Sequence, residues 1–387
     1  MPEKKTCLGT SALADAAVAC GVEVCACYPI TPTTGLTAGL AKHYANGRIP
    51  KYITVESEHS AMSALIGASA AGARTFTTTS SQGLLLMHEA IFCAGGMRLP
   101  IVMVVGNRAV SAPLNIWNDQ QDTVSQRDAG WIQLYAESNQ EAVDLLPQAF
   151  KIAEKTMLPT MVCIDGFILT HSMETVEIPT KAEVDEFLPP FNPEIKLDTQ
   201  NPLSLGVYAA PPHYQDFRED VVADFEKAIL TVAEVMAEYG KITGRPCALV
   251  EEYRTQDADY ILAGMGSVMG NAKAAADELR GQGEKAGVLK ITCLRPFPRE
   301  AIRKTLSGRL VGVIDRAISP GGGAPLYLET VEALSGDSGA TVSSFCGGLG
   351  GREIGVDECK KIFSRLKERK PLKEWVAREC KSTTCTK

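Results

Sequence analysis

Between residues 9 and 170 the chain alternates small-residue or amphipathic stretches with short, continuously apolar runs. The segments Val22–Tyr28, Tyr52–Glu56, Phe76–Thr79, Pro100–Gly106 and Thr160–Ile164 predict strands, with helices predicted over Ser11–Cys20, His59–Ala71, Leu84–Ala94 and Gln140–Glu154. Strands that lack polar alternation are buried on both faces, and the intervening helices supply the crossovers. The pattern therefore predicts an α/β fold built on a parallel sheet.

From about Ile178 the pattern breaks. Pro179, Pro189, Pro190, Pro193, Pro202, Pro211 and Pro212 lie in a polar stretch that reads as a surface connector. A long amphipathic helix over Asp216–Tyr239 follows. A second α/β unit begins near Asp259, with strands over 260–266, 288–292 and 310–315 and helices over Asn271–Arg280 and Glu300–Leu306. The stretch Val356–Lys387 is charged, helical at first and then loose. These readings divide the chain into a first domain over 1–178, a connector and long helix over 179–250, and a second domain over 251–387.

Composition narrows the classes. The net charge of −7 disfavours binding to a phosphate backbone, which needs a basic surface. No apolar run approaches the roughly 18 to 20 residues a membrane helix requires. Asp15 and Glu23 interrupt the small-residue stretch behind the charged N-terminus, which argues against a secretory signal and for the cytoplasm. Twelve cysteines are spaced without any C-x-x-C, the nearest groupings being Cys25-Ala-Cys27 and Cys380 with Cys385. Cluster and zinc sites use closer thiolate runs, so these read as small buried hydrophobes in a reducing compartment, and no metal is assigned to this chain.

Ligands of open parallel sheets sit beyond the carboxyl ends of the strands, and four loops at such positions carry unusual chemistry. In Tyr28-Pro29-Ile30-Thr31-Pro32 two prolines stiffen the chain around a hydroxyl, although a plain turn would look similar. Glu56 and Glu58 precede a helix poor in bulky side chains. They read either as solvated first-turn acids or as a carboxylate buried where a neighbour approaches closely. The run Thr77–Gly83, with Ser81 and Gln82, can cap a helix or receive an anion. Arg108 directly follows the apolar strand, where a guanidinium is expensive unless paired. It either pairs with Asp119 or Asp122, or binds the carboxylate of a small acid at two points. Ile116 and Trp117 read as the apolar anchors of the polar segment that follows it.

Several motifs resemble one family: YPITPTT, VESEHSAMSALIGASAAGARTFTTTSSQG, LPIVMVVGNRAVSAPLNIWNDQQDTVSQRDAGW and DGFILTH in the first half, with DYILAGMGSVMG, CLRPFPREAIR, DRAISPGGGAPL and GGLGGREI in the second. Together they are similar to the α subunits of 2-oxoacid:ferredoxin oxidoreductases, the pyruvate type above the others, over about Ser11 to Ile354. The resemblance implies a pyrimidine-type thiamine diphosphate-binding domain followed by a transketolase C-terminal-like domain. It implies reversible oxidative decarboxylation of pyruvate to acetyl-CoA and CO2 with reduction of ferredoxin. Thiamine diphosphate would be shared with a β subunit, Mg2+ and [4Fe–4S] clusters would lie on partner subunits, and coenzyme A would be co-substrate. The implied partners are β, γ and ferredoxin-like δ subunits and ferredoxin, in a dimer of hetero-oligomers.

By the same resemblance Glu58 bonds the aminopyrimidine ring, promoting the tautomer that deprotonates the cofactor, and Thr31 lies beside the reacting carbonyl. Arg108 holds the 2-oxoacid carboxylate, and Tyr28, Pro29, Ser81 and Gln82 complete the cofactor set. The chain has Asp165-Gly166 but no Gly-Asp-Gly of the kind that supports a diphosphate-bound metal, so it is expected to do no chemistry alone. Branched-chain or aromatic 2-oxoacids, a single-chain enzyme of the transketolase type and a non-catalytic assembly subunit are the alternatives.

Overall fold

The computed structural model describes residues 3–336 and 339–377. Cys380, Cys385 and the loose end expected of the tail fall outside the described residues. The chain forms two compact units, one of Met1–Glu251 with Ile291–Pro298, the other of Glu252–Lys290 with Arg299–Lys387. The proline-rich stretch and the long helix, read above as a separate connector, are thus part of the first unit.

The first eight strands are β1 Glu3–Leu8, β2 Val24–Cys27, β3 Lys51–Thr54, β4 Thr75–Thr79, β5 Val102–Asn107, β6 Ile132–Tyr135, β7 Thr160–Asp165 and β8 Met173–Ile178. The remaining seven are β9 Val250–Tyr253, β10 Tyr260–Gly264, β11 Ala286–Ile291, β12 Cys293–Arg295, β13 Leu310–Asp315, β14 Thr341–Cys346 and β15 Lys373–Trp375. In the first unit seven of them make one sheet, ordered β12-β6-β7-β5-β4-β2-β3. Pairings from β3 through to β6 are parallel, as the apolar runs predict. At the far edge β12 pairs antiparallel with β6, Cys293 opposite Leu134, so the sheet is mixed. β1 and β8 form a separate antiparallel pair.

Helices α1 Gly9–Ala19, α2 Thr34–Ala45, α3 Glu58–Ala70, α4 Ser81–Leu86, α5 His88–Gly96, α6 Gln121–Val124, α7 Asn139–Thr156, α8 Lys181–Phe187 and α9 Pro211–Thr243 complete this unit. The sequence pattern does not predict helix α2, because Gly35 and Gly39 lower its propensity. Its reason is packing: a Cβ at Gly39 would lie 2.7 Å from that of Ala14, and one at Gly35 2.7 Å from Thr10 Oγ1. The glycines let α2 lie directly on the small-residue face of α1. Helix α9 starts at Pro211, earlier than predicted, with proline where a helix tolerates it, and ends at Gly244 in the left-handed region.

The second unit carries a six-stranded sheet ordered β15-β14-β13-β10-β11-β9, with helices α10 Val268–Gly281, α11 Arg299–Leu306, α12 Pro325–Ala333 and α13 Val356–Leu366. Leu262, Met269, Ala272, Phe345, Ile362 and Phe363 form the core between the sheet, α10 and α13.

Among the described residues no helix is long and apolar enough to cross a membrane, and no group of three or more His, Cys, Asp or Glu is placed to hold a metal ion. Cys7, Cys20, Cys25, Cys27, Cys163, Cys293, Cys346 and Cys359 are buried, Cys247 is half-buried and Cys93 is exposed. Burial pushes the Cys27 thiol up to about 11, so it stays protonated as a small apolar group does.

Candidate functional site

β3, β2, β4 and β5 are consecutive neighbours in the sheet. All run the same way, so their carboxyl ends form one row, and each of the four loops singled out in the sequence leaves from that row.

Glu58 opens α3 behind the N-cap Ser57, whose Oγ accepts a hydrogen bond from Ser60 N at 3.3 Å. An acid in a first turn needs no special account, but Glu58 is only 5% exposed while Glu56 lies open to solvent. Burial pushes the Glu58 carboxyl above the usual carboxylate range, opposed by its own backbone amide. The carboxylate lies against the Cα of Gly83 in α4. A Cβ at Gly83 would stand 2.2 Å from Glu58 Oε1 and 2.7 Å from Thr79 Oγ1, so a side chain there would push the Glu58 carboxylate from its place. Thr79 Oγ1 and Gln82 Nε2 are buried without a hydrogen-bond partner. An unmade bond of this kind costs about 1–3 kcal/mol, and such groups are few in native proteins and call for an explanation.

The loop from β4 into α4 is stitched to the end of β5. Ser80 Oγ donates to Gly106 O at 2.6 Å, and Ser81 Oγ donates to Ala109 O. Ser81 has φ +49°, a left-handed conformation that non-glycine residues seldom take, and its amide donates to Asp122 Oδ2 at 2.9 Å.

Arg108 follows the last residue of β5 and is 8% exposed. Its guanidinium donates to two carbonyls, Nη1 to Thr31 O at 3.0 Å and Nε to Asn115 O at 3.2 Å. Among the described residues no carboxylate lies within ion-pairing distance of it. Asp122 accepts instead from the Arg108 backbone amide at 3.0 Å, and Asp119 Oδ1 accepts from Gln121 N. Burial lowers the Arg108 pKa, with only the more distant Asp122 charge opposing. Of the two roles open to it in the sequence, pairing with Asp119 or Asp122 is therefore not the one its side chain adopts. Ile116 and Trp117 do not act as buried anchors either. They are 40% and 52% exposed, and Trp117 packs against Phe167 at 4.5 Å between ring centroids.

The structure gathers Thr31 with Arg108, Glu58 with Gly83 beside Gln82, and joins the two groups through Ser81. The Thr31 side chain, Tyr28 and Pro29 stand exposed at the rim. The sequence did not single out Gly83 or Thr79 individually, although both belong to the polar run it marked. In the sequence Asp122 reads only as a partner for Arg108. A carboxylate that serves backbone amides leaves no signature in spacing.

Comparison with known proteins agrees over both units. The family model described as "Pyruvate flavodoxin/ferredoxin oxidoreductase, thiamine diP-bdg" matches residues 15–237, and that for "Pyruvate:ferredoxin oxidoreductase core domain II" matches residues 258–359. The pyruvate synthase subunit PorA of Methanothermobacter thermautotrophicus is 45% identical over 96% of this chain and 97% of its own length. That of Methanocaldococcus jannaschii is 46% identical, over 95% and 96%. The ketoisovalerate oxidoreductase subunit VorA of Pyrococcus abyssi is 44% identical, over 95% and 94%. The solved 2-oxoglutarate:ferredoxin oxidoreductase of Magnetococcus marinus, with 2-oxoglutarate, coenzyme A and succinyl-CoA bound, superposes with a TM-score of 0.72 at 18% identity. The match spans 95% of this chain and 65% of that one, and at this identity the likeness is one of fold.

Proposed function

The chain belongs to the pyruvate flavodoxin/ferredoxin oxidoreductase family, and from that premise we propose that it is the α subunit of a pyruvate:ferredoxin oxidoreductase, active only with its partners. The observation that carries the substrate side is Arg108: a buried guanidinium at the carboxyl edge of the sheet, held by two carbonyls and facing no carboxylate among the described residues. A cation so placed suits a small anionic substrate, and arginine suits a planar carboxylate.

The residues also fit an aminopyrimidine. A ring bearing both donors and acceptors would meet the Glu58 carboxylate and could satisfy the unpartnered Thr79 hydroxyl and Gln82 amide. When bound, thiamine diphosphate supplies the nucleophilic carbon and the electron sink that decarboxylation of a 2-oxoacid requires. Glu58 would hold the ring and share a proton with one of its nitrogens, a role its raised proton affinity favours. Arg108 would bind the substrate carboxylate in a setting with little water, which strengthens the pair. The two carbonyls already occupying its Nη1 and Nε keep it from gripping that group so tightly that CO2 departure is slowed. Thr31, whose carbonyl receives Arg108, would orient the keto group.

Diphosphate, Mg2+ and the [4Fe–4S] clusters belong, in this reading, to the β and ferredoxin-like δ subunits, with γ completing a cytoplasmic hetero-oligomer that uses coenzyme A and ferredoxin. The first unit is the pyrimidine-binding domain and the second the transketolase C-terminal-like domain. The VorA relative makes a branched-chain 2-oxoacid the second reading, since its identity is within two points of the PorA relatives. The test is to purify the complex with its partners and compare pyruvate with 3-methyl-2-oxobutanoate in coenzyme A-dependent reduction of a low-potential dye. Pyruvate should give the higher kcat/KM. A preference for the branched acid overturns the substrate, and inertness with every 2-oxoacid overturns the activity.

A further inference from the structure

Asp122, in α6, is fully buried, and among the described residues no basic side chain lies within ion-pairing distance of its carboxylate. Four donors serve it instead. Oδ1 accepts from Asn107 Nδ2 and from Thr123 N, both at 2.8 Å. Oδ2 accepts from Ser81 N at 2.9 Å and Arg108 N at 3.0 Å. The last two amides lie just beyond the ends of different strands, β4 and β5, so one oxygen fixes the spacing of two loops.

What those amides carry gives the arrangement its meaning. The Arg108 amide belongs to the guanidinium proposed to hold the substrate. The Ser81 amide holds a residue in the left-handed region, and that conformation starts the helix whose Gly83 lies against Glu58. We infer that Asp122 is a positioning residue that sets the substrate anchor and the cofactor pocket in register with one another. The inference deepens the function proposed above and rests on it. Burial pushes the Asp122 carboxyl up to about 7, opposed by the bonds from Asn107, Ser81 and Arg108. A group kept in so costly a setting, where an apolar residue would serve the core, is more common at functional sites than elsewhere.

The experiment uses the assembled complex with Asp122→Asn. An amide side chain has one acceptor oxygen, and its NH2 would face two of the donors that now meet a carboxylate. A shift of about an ångström at a reacting group costs up to about 100-fold. The expected result is a rise of at least about tenfold in both the pyruvate KM and the thiamine diphosphate Kd measured by calorimetry. Arg108→Ala should raise the pyruvate KM alone. A folded Asp122→Asn complex with a lowered melting temperature but both constants unchanged makes Asp122 a core residue only and overturns the inference. A rise in one constant without the other overturns the coupling. If Asp122→Asn does not assemble, Asn107→Ala removes one of the four bonds, and a smaller rise in both constants is required of it; no rise, or a rise in one, again overturns the inference. A wild-type complex inert with every 2-oxoacid removes the underlying reading, whereas an active wild type beside an unimpaired variant removes the inference alone.

Discussion

The two sheets end a central strand in nearly the same way. β5 finishes its buried run with Asn107 and is followed by Arg108; β13 finishes with Asp315 and is followed by Arg316. Both arginines are buried, at 8% and 4% exposure. Each edge also holds a buried aspartate whose carboxyl burial pushes up to about 7, Asp122 in the first unit and Asp315 in the second. The donors differ. Asp315 accepts from Leu326 N at 2.7 Å and Tyr327 N at 3.0 Å, adjacent amides in the first turn of α12. It caps a helix at the start of the very crossover that its own strand feeds. Asp122 joins the amide of Ser81 at the start of α4 to that of Arg108 after β5, and does so across a site. Similar burial and similar proton affinity thus serve a local stop in one unit and a long-range tie in the other, and the number and origin of the donors distinguish them.

The largest test of that contrast compares the two arginines. Arg108→Ala in the complex should lower kcat/KM for pyruvate by about 30- to 1000-fold, the scale of about 2–4 kcal/mol for losing a buried charge-assisted contact, and Asp119→Ala should not reproduce it. Arg316→Ala should lower the melting temperature and leave the pyruvate KM unchanged. An equal kinetic defect in both would erase the contrast.

Next in size is Asp315→Ala. Loss of an N-terminal helix cap costs about 0.5–2 kcal/mol, so thermal denaturation should show a fall in melting temperature with pyruvate and thiamine diphosphate constants intact. A rise in either constant would mean that the second unit's edge also serves the site.

A further effect is in pH. Folded Asp315 keeps its proton up to about pH 7, while in the unfolded chain the carboxyl ionises near its ordinary 3.8. The fold therefore binds more protons across that window. The stability this group lends is fully present below about pH 4 and is lost as pH rises towards 7. The stability of the wild type relative to Asp315→Asn should fall over that range by at most about 1.4 kcal/mol per pH unit. Denaturant melts at pH 4.5, 5.5 and 6.5 check it, and a constant difference would show the carboxyl to be ionised throughout.

The same pairs of residues show what the sequence could reveal. Arg108 stands out in the sequence because a charge beside a buried strand is costly, yet Arg316 sends the same signal. What separates them is the source of the neighbouring acid, which spacing does not encode. Burial of an acid before α3 was legible as one of two readings, but Glu56 and Glu58 look alike in the sequence and only the approach of Gly83 shows which of them is buried. The parallel strands were readable from their apolar runs. The proline-rich stretch reads as separate because nothing local shows what it packs against. In the structure Arg74, on the approach to β4, donates to Pro189 O at 2.7 Å and fastens that stretch to the first unit.

The three-residue strand β12 has a consequence for biosynthesis. A ribosome delivers β6 long before it delivers Cys293–Arg295, and between the two it must release the start of the second unit, Glu252–Lys290. Until then β6, whose four residues are all buried in the finished sheet, presents bare amides and carbonyls along one side. A nascent chain halted before residue 293 is thus a sheet with an open apolar edge, the kind of surface that recruits another strand from elsewhere. Production of the first unit by truncation at residue 251 would yield this species permanently, so a fragment meant to stand alone has to retain the return segment, joined by a short linker in place of the residues between.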